Sequence, residues 1–338
     1  MLKYKDIRKV HIEVSDICNA ACPMCARFQG GGVSMFPYLT NTSMSIFKFK
    51  ELFQKSFVQQ IQEWLFCGVY GDPCTAVDLP KIISYIKSLN PDVFISVESN
   101  GGIRDTQWWS NLASSLNSEK CSVSFSIDGL EDTNHIYRRN VKWNKLLNNI
   151  RAFTKAGGYS EWQFIKFKHN QHQIDTAKVL AKELGIKTFN VKETNRFRRL
   201  YDNEYKFPVK DLGNNTPNYW LYPPDTFVPK SLTTKDLDSC TIICQIQKTN
   251  EIFVTSIGEV YPCCYIYSDV KEQPQRYSGL PIDKLLITKY NDIQTIITNP
   301  VFTAIQDSWS KTINDGRNIK CAEICGIQNR VTNKTVEL

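Results

Sequence analysis

Short apolar and β-branched runs alternate, over roughly the first two hundred residues, with longer stretches whose apolar positions recur every three or four residues. Residues 10–14 predict a strand, and so do 64–69, 93–97, 122–127, 162–167 and 188–191. Between them, Ile82, Ile83 and Ile86 share one face of a helix predicted over 79–89. Leu146, Leu147 and Ile150 do the same over 143–153, and Ala177, Leu180 and Ala181 over 174–184. Strands alternating with helices predict an α/β chain of parallel βαβ units, whose ligands gather at the C-terminal ends of the strands. Residues 200–239 break the pattern with Pro208, Pro217, Pro223, Pro224 and Pro229 and read as a partly ordered connector. Cysteines return at Cys240. The expected organisation is a core over 1–199, a connector over 200–239 and a small cysteine-rich α+β domain over 240–338.

Composition narrows the class. The 338 residues suffice for one large α/β core with an appendage, and 42% hydrophobic with 22% charged residues is ordinary for a globular chain. No apolar run approaches the roughly 20 residues that span a bilayer. Residues 1–6 lack the apolar segment of a signal peptide, so a cytoplasmic protein is expected. There the twelve cysteines stay reduced, and clustered thiols point to metal rather than disulfides. Nine fall in two groups, Cys18/22/25 and Cys240/244/263/264/321/325, while Cys67, Cys74 and Cys121 are dispersed. The net charge of +7 is a weak argument for nucleic acid. The densest basic stretch, Arg196-Phe197-Arg198-Arg199, reads as a solvated edge or an anion contact. It is the one support for a nucleic-acid-modifying enzyme, which is not the expected reading.

Cys18-Asn19-Ala20-Ala21-Cys22-Pro23-Met24-Cys25 follows the first strand directly. Iron–sulfur clusters take cysteine thiolates, normally four, so three at tight spacing leave one iron open for chemistry. A structural zinc site is the alternative, but it usually needs a fourth ligand, and no further Cys or His lies nearby. This C-x3-C-x2-C resembles the signature of the radical S-adenosylmethionine (SAM) enzymes. That resemblance implies a [4Fe–4S] cluster on Cys18, Cys22 and Cys25 whose open iron binds SAM. It also implies reductive cleavage of SAM to a 5′-deoxyadenosyl radical, and a partial (β/α)6 barrel over about the first 195 residues. Met24 stands where the family usually has an aromatic residue and can still pack over adenine.

Further elements resemble the family in the expected order. Gly68-Val69-Tyr70-Gly71-Asp72-Pro73 is similar to its Gly-Gly-Glu-Pro element, with Asp72 in place of Glu. Glycines let backbone approach a ligand and proline fixes the turn. Ser99-Asn100-Gly101-Gly102 ends the third strand and resembles the family's Thr-Asn-Gly, and Ser126-Ile127-Asp128-Gly129 ends the fourth and resembles its Ser-Ile-Asp-Gly; both put small polar groups at the strand mouths. Ordinary turn chemistry is the plainer account of each. By the same resemblance Gly68, Tyr70, Gly71, Asp72, Pro73, Ser99, Asn100, Ser126 and Asp128 are candidate SAM contacts; Glu98, a polar residue on the third strand before Ser99, is a candidate for contact with SAM or substrate. Arg139, within Tyr137-Arg138-Arg139, is a candidate carboxylate partner. Asn170, closing the fifth strand, is a weaker candidate.

The later cysteines read as Cys244, then Gly258 and Cys263 across a predicted hairpin, then Cys321-x3-Cys325. This resembles the SPASM/Twitch type of C-terminal domain, although the last pair is usually C-x2-C. The resemblance implies one auxiliary [4Fe–4S] cluster on Cys244, Cys263, Cys321 and Cys325. Cys240 or Cys264 is an alternative ligand, and a four-cysteine zinc site an alternative occupant. Cys67 and Cys121 read as packed thiols. Cys74 lies near the mouth, as does the hydrogen-donating cysteine of some related epimerases, though a packed thiol is the stronger reading. His11 and Glu13 share one strand face. The Trp108-Trp109 pair reads as packing.

The expected function is hydrogen abstraction by a radical SAM enzyme from a small metabolite, a sugar-like compound or a peptide. A reducing partner such as flavodoxin or ferredoxin is expected with it. No separate peptide-recognition domain fits before residue 18. The competing class is a non-catalytic iron–sulfur or zinc protein, an electron carrier or interaction module, which would need the cysteines but not the ordered Gly71-Asp72-Pro73, Asn100-Gly101 and Ser126-Ile127-Asp128 elements.

Overall fold

In a computed structural model that describes residues 2–29, 34–197, 200–211, 216–229, 232–327 and 334–337, six parallel strands form where the alternation predicts them. They are β1 (Lys9–Ile12), β2 (Glu63–Phe66), β3 (Phe94–Ser99), β4 (Cys121–Ser126), β5 (Ser160–Ile165) and β6 (Thr188–Lys192). Helices α1 (Leu79–Leu89), α2 (Thr106–Leu116), α3 (Trp143–Lys155) and α4 (Ile174–Glu183) fill the crossovers between successive strands from β2 to β6. Of these, α2 is absent from the sequence expectation. Its Asp105 cap accepts from the Trp108 N–H at 2.8 Å, and its buried stripe is Trp109, Leu112, Ala113 and Leu116.

Strand alternation sorts the sheet into two faces. Val10, Ile12, Trp64, Phe66, Ile95, Val97, Val123, Phe125, Trp162 and Phe164 are all at most 1% exposed and share one core with Ile82, Leu112, Leu146 and Ala177 of the helices. Burying each such side chain contributes roughly 1.5–3 kcal/mol. The opposite face is mainly polar, with His11, Ser96, Glu98, Ser122, Ser124, Ser126, Glu161, Gln163, Asn190 and Lys192 beside the apolar Leu65, Ile165 and Phe253. Register aligns Glu98 with Ser124 and Glu161, and Ser126 with Gln163 and Asn190.

The sheet does not stop at six strands. Residues of the expected C-terminal domain form β7 (Glu251–Val254), parallel to β1, and β8 (Val260–Tyr261), antiparallel to β7. β9 (Lys334–Glu337) runs antiparallel to β6 at the other end. The order is β8-β7-β1-β2-β3-β4-β5-β6-β9, and among the described residues β8 and β9 do not pair, so the sheet stays open. The predicted hairpin around Gly258 is present, and Ile252, Phe253 and Val254 are fully buried because they cover the edge of β1. The connector is more regular than its prolines suggest. Phe207–Val209 pairs with Tyr219–Leu221, and this ribbon is fastened to the core by Tyr219 Oη donating to the Ile136 carbonyl (2.6 Å) and by the Lys168 N–H donating to the Tyr222 carbonyl (3.1 Å). Among the described residues no helix is long and apolar enough to cross a membrane.

Candidate active site

The loop leaving β1 is pinned on both sides of the cysteines. Glu13, buried at the strand's end, accepts through Oε1 from the backbone N–H groups of Tyr70 (2.7 Å) and Gly71 (3.0 Å), while Oε2 meets no donor among the described residues. Burial pushes its carboxyl up to about 7 against the pull of those N–H groups. Asp16 accepts from the Thr40 N–H and hydroxyl, both at 2.8 Å, and from the N–H groups of Asn41 and Thr42. Beyond the last cysteine, buried Arg27 donates to the carbonyls of Asp16 and Tyr70. Gly71 has no room for a side chain, since a Cβ would stand 1.9 Å from the Ser15 carbonyl. A Cβ on Gly68 would stand 2.2 Å from the Gly71 carbonyl. These contacts lock the Gly68–Pro73 turn against the start of the cysteine loop, with Pro73 opening a 3-10 turn (Pro73–Thr75).

Each thiol of the loop faces an N–H donor. Cys18 Sγ accepts from the Ala20 N–H (3.4 Å) and Asn100 Nδ2 (3.7 Å), Cys22 Sγ from Arg138 Nη1 (3.7 Å), and Cys25 Sγ from the Arg27 N–H (3.5 Å). The Cys25 N–H closes a turn onto the Cys22 carbonyl at 3.0 Å. Burial pushes the Cys22 thiol up to about 11 despite Arg138, and burial, with Asp72 and the neighbouring thiols adding, pushes Cys18 higher still. Among the described residues no three His, Cys, Asp or Glu side chains close around one point as the ligands of a single metal ion would. The chemistry of the set fits an iron–sulfur cluster: three thiols on one short loop, each with a donor that stabilises anionic sulfur.

Neighbouring strand ends are tied to this loop through Asp72 and Asn100. The Asp72 carboxylate accepts from Ser99 Oγ (2.9 Å), the Asn100 N–H (2.8 Å), Asn100 Nδ2 (2.7 Å) and the Cys74 N–H (3.0 Å). Asn100 Nδ2 also reaches Asn19 Oδ1 at 2.9 Å. Burial raises the Asp72 carboxyl, and these donors pull it back. The Asp72 side chain is therefore a brace between the second and third strand ends. Farther round, buried Asp128 pairs with Arg138 Nε (2.6 Å) and accepts from the Ile165 N–H (2.6 Å), and Asn170 Nδ2 donates to the Asp128 carbonyl at 3.0 Å.

Two arginines depart from expectation. Arg139 turns its guanidinium outward to Asp211 and the Lys210 carbonyl; Arg138 is the one that reaches Cys22 and Asp128, because Asp128 supplies the buried counter-charge. Arg196, expected on a solvated edge or at an anion contact, donates to the Met24 carbonyl at 2.6 Å and supports the cysteine loop. Arg198 and Arg199 lie outside the described residues. Nothing in residue type marked Asn19, Arg27 or Arg196 for these roles, since their partners are backbone carbonyls or amides distant in sequence.

The polar sheet face lies below this rim. Cys67 is not simply packed: its thiol lies 3.8 Å from Glu98 Oε2, and burial, with Glu98, Cys264 and Glu13 nearby, raises it against the pull of Lys192. Glu161 Oε2 accepts from Ser124 Oγ (3.2 Å), Gln163 Nε2 (3.3 Å) and Asn190 Nδ2 (3.2 Å). Gln163 Oε1 and Asn190 Oδ1 are buried without a partner among the described residues. Ser126 sits half-buried beside Gln163. Cys74, Cys121 and Trp109 are at most 1% exposed, whereas Trp108 is half-buried and packs edge-on against Trp109.

The later cysteines divide. Cys244 and Cys325 share a thiol hydrogen bond that holds Cys244 below the usual thiol range. Burial pushes Cys263 and Cys321 up to about 12, and each also feels the charge of Cys244. Cys240 turns away into a small core with Leu237 and Ala322, its sulfur 3.7 Å from Arg317 Nη2. Cys264 sits near Glu251 and Cys67.

The profile of the radical SAM superfamily matches residues 12–169. Among solved structures, Streptococcus suis SuiB bound to S-adenosylmethionine is similar with a TM-score of 0.51 at 12% identity, over 86% of this chain and 67% of that one. SuiB bound to the precursor peptide SuiA gives 0.51 at 10% identity, over 86% and 66%, so the chain spans about two thirds of the SuiB length. Native anSMEcpe with bound AdoMet gives 0.54 at 16% identity, over 90% and 84%. At these identities the likeness is one of fold.

Proposed function

We propose, from the premise that residues 12–169 make this chain a member of the radical SAM superfamily, that it is an enzyme taking a hydrogen atom from an unactivated carbon of a polar substrate. The observation that carries this reading is the thiol loop: three cysteines after β1, each facing an N–H donor, with Cys18 linked through Asn100 to the Asp72 brace. When bound, a [4Fe–4S] cluster and SAM would supply an electron and a 5′-deoxyadenosyl radical. Cys18, Cys22 and Cys25 would hold the cluster, and Asn100 and Arg138 would stabilise its thiolates. The glycine turn at Gly68 and Gly71 would let SAM lie against backbone, with Tyr70, Asp72, Pro73, Ser99 and Asp128 fixing the rim. Glu98, Ser126, Glu161 and Gln163 would orient the substrate, the part of the protein that positioning requires.

The polar face favours a hydroxyl- or amine-bearing group, whether of a small metabolite, a sugar-like compound or a peptide side chain. Cys244, Cys263, Cys321 and Cys325 would hold an auxiliary [4Fe–4S] cluster in the segment 240–338, with zinc as the competing occupant. A cytoplasmic setting and a flavodoxin- or ferredoxin-type reductant complete the reading.

The test is spectroscopic. After anaerobic reconstitution and reduction, SAM should change the paramagnetic resonance signal of a cluster that is present in the wild type and lost when Cys18, Cys22 and Cys25 are all alanine. A reducible cluster whose signal ignores SAM would favour the electron-carrier reading instead.

A further inference from the structure

A cavity of about 570 Å³ opens on the outer side of the segment that carries Arg138, lined by His135, Ile136, Arg139, Lys168, His169, Tyr219, Trp220 and Tyr222. None of Cys67, Glu98, Ser124, Glu161 or Gln163 lines it, so it is separate from the polar sheet face. Its floor is thin. Ile136 is held by Tyr219 Oη, and two residues on, Arg138 Nη1 lies 3.7 Å from Cys22 Sγ. The Arg139 carbonyl accepts from the Ala21 N–H at 3.0 Å. Residues 136–139 thus contact both the cavity, through Ile136 and Arg139, and the cysteine loop, through Arg138 and the Arg139 carbonyl.

The walls are three aromatic rings with two cations and two histidines, and His135 and Lys168 are exposed. Among the described residues no carboxylate lines the cavity; the adjacent Asp211 is engaged by Arg139 and Asn218, and Lys206, over the Trp220 ring, engages Asp202 and Glu204. His169 stacks on Phe167, and its buried Nε2 meets no partner among the described residues.

We infer that this aromatic, basic cavity is the docking face for an acidic one-electron donor protein, admitting the protruding edge of its flavin or iron–sulfur centre beside Cys22. The inference rests on the cluster reading above. The step is a single electron: the donor's reduced centre loses it and the cluster gains it, with no bond made or broken. Opposite charges on the two faces would steer the encounter and make it depend on salt.

The experiment mixes the reconstituted chain with a bacterial flavodoxin in its hydroquinone state and follows bleaching of the cluster's visible absorbance, with dithionite as the small-molecule control. The wild-type rate with flavodoxin should fall as salt is added. The double variant His135→Glu/Lys168→Glu should slow it about tenfold or more at low salt and leave the dithionite rate unchanged. Carbodiimide coupling of flavodoxin carboxylates, mapped by mass spectrometry, should reach Lys168, a readout independent of turnover. A double variant as fast as wild type with flavodoxin, or couplings that map elsewhere and never to Lys168, would overturn the assignment while leaving the cluster reading standing. Wild type that dithionite cannot bleach would remove the cluster reading, and the docking face with it.

Discussion

Glu13 shows how a single side chain braces the rim. It sits at the end of β1, fully buried, with two backbone N–H groups on one carboxylate oxygen and no partner on the other among the described residues; burial favours its protonated form against the pull of those groups. Its folded pKa of about 7 lies above its ordinary 4.5, so the folded state keeps a proton that the unfolded chain releases between those values. Stability from this group is therefore full below about pH 4.5 and declines as pH rises to about 7, by a few kcal/mol at most. His11 works the other way, because burial lowers it to about 4 and stability is lost as pH falls from about 6.5. Thermal melts of Glu13→Gln and wild type across pH 4 to 8 separate the two: the variant is expected to lose the decline on raising the pH and keep the decline on lowering it. Asp128 makes a harsher case. Asp128→Ala strips the counter-charge from a largely buried Arg138, and urea unfolding is expected to show a loss of about 3–5 kcal/mol. The residue types at the rim were legible because cysteines, glycines and strand-end Asp and Asn carry local signals. The choice of Arg138 over Arg139 was not, since both follow the same helical turn and only the position of Asp128 decides which is drawn in.

At the scale of elements, the six parallel strands and three of their helices follow from apolar periodicity, and helix 79–89 agrees with the observed Leu79–Leu89 at both ends. The fourth helix, α2, was hidden by Ser110, Asn111, Ser114 and Ser115, poor helix formers on its outer side that blur the Trp109–Leu112–Leu116 stripe. The use of the C-terminal hairpin was hidden for another reason. A strand's partner across more than two hundred residues leaves no local trace, so Glu251–Val254 read as part of a separate module although it completes the sheet beside β1. This pairing makes a prediction. A chain ending at residue 239 would leave the β1 edge uncovered, with its backbone groups unpaired and the apolar cover of Ile252, Phe253 and Val254 gone. It is expected to aggregate or to melt without cooperativity by circular dichroism; a soluble, cooperatively folded fragment would show that residues 240–338 are independent after all.

The whole molecule puts one mainly polar sheet face beneath a rim of three thiols, with Cys244 and Cys325 paired and Cys240 set apart in a small core. Its fold class was readable from the sequence because each strand–helix unit carries its own signal. The polar floor was only partly so: His11 and Glu13 showed as polar positions within a strand, but the meeting of Glu98, Ser124, Glu161 and Asn190 depends on strand register. The central claim is that this arrangement cleaves SAM. Its most direct test is anaerobic incubation of the reconstituted, reduced protein with SAM, followed by chromatographic measurement of 5′-deoxyadenosine, beside Cys22→Ala. The account predicts 5′-deoxyadenosine from the wild type and none from the variant. Equal amounts from both, or none from a wild type that holds a reducible cluster and binds SAM, would contradict it.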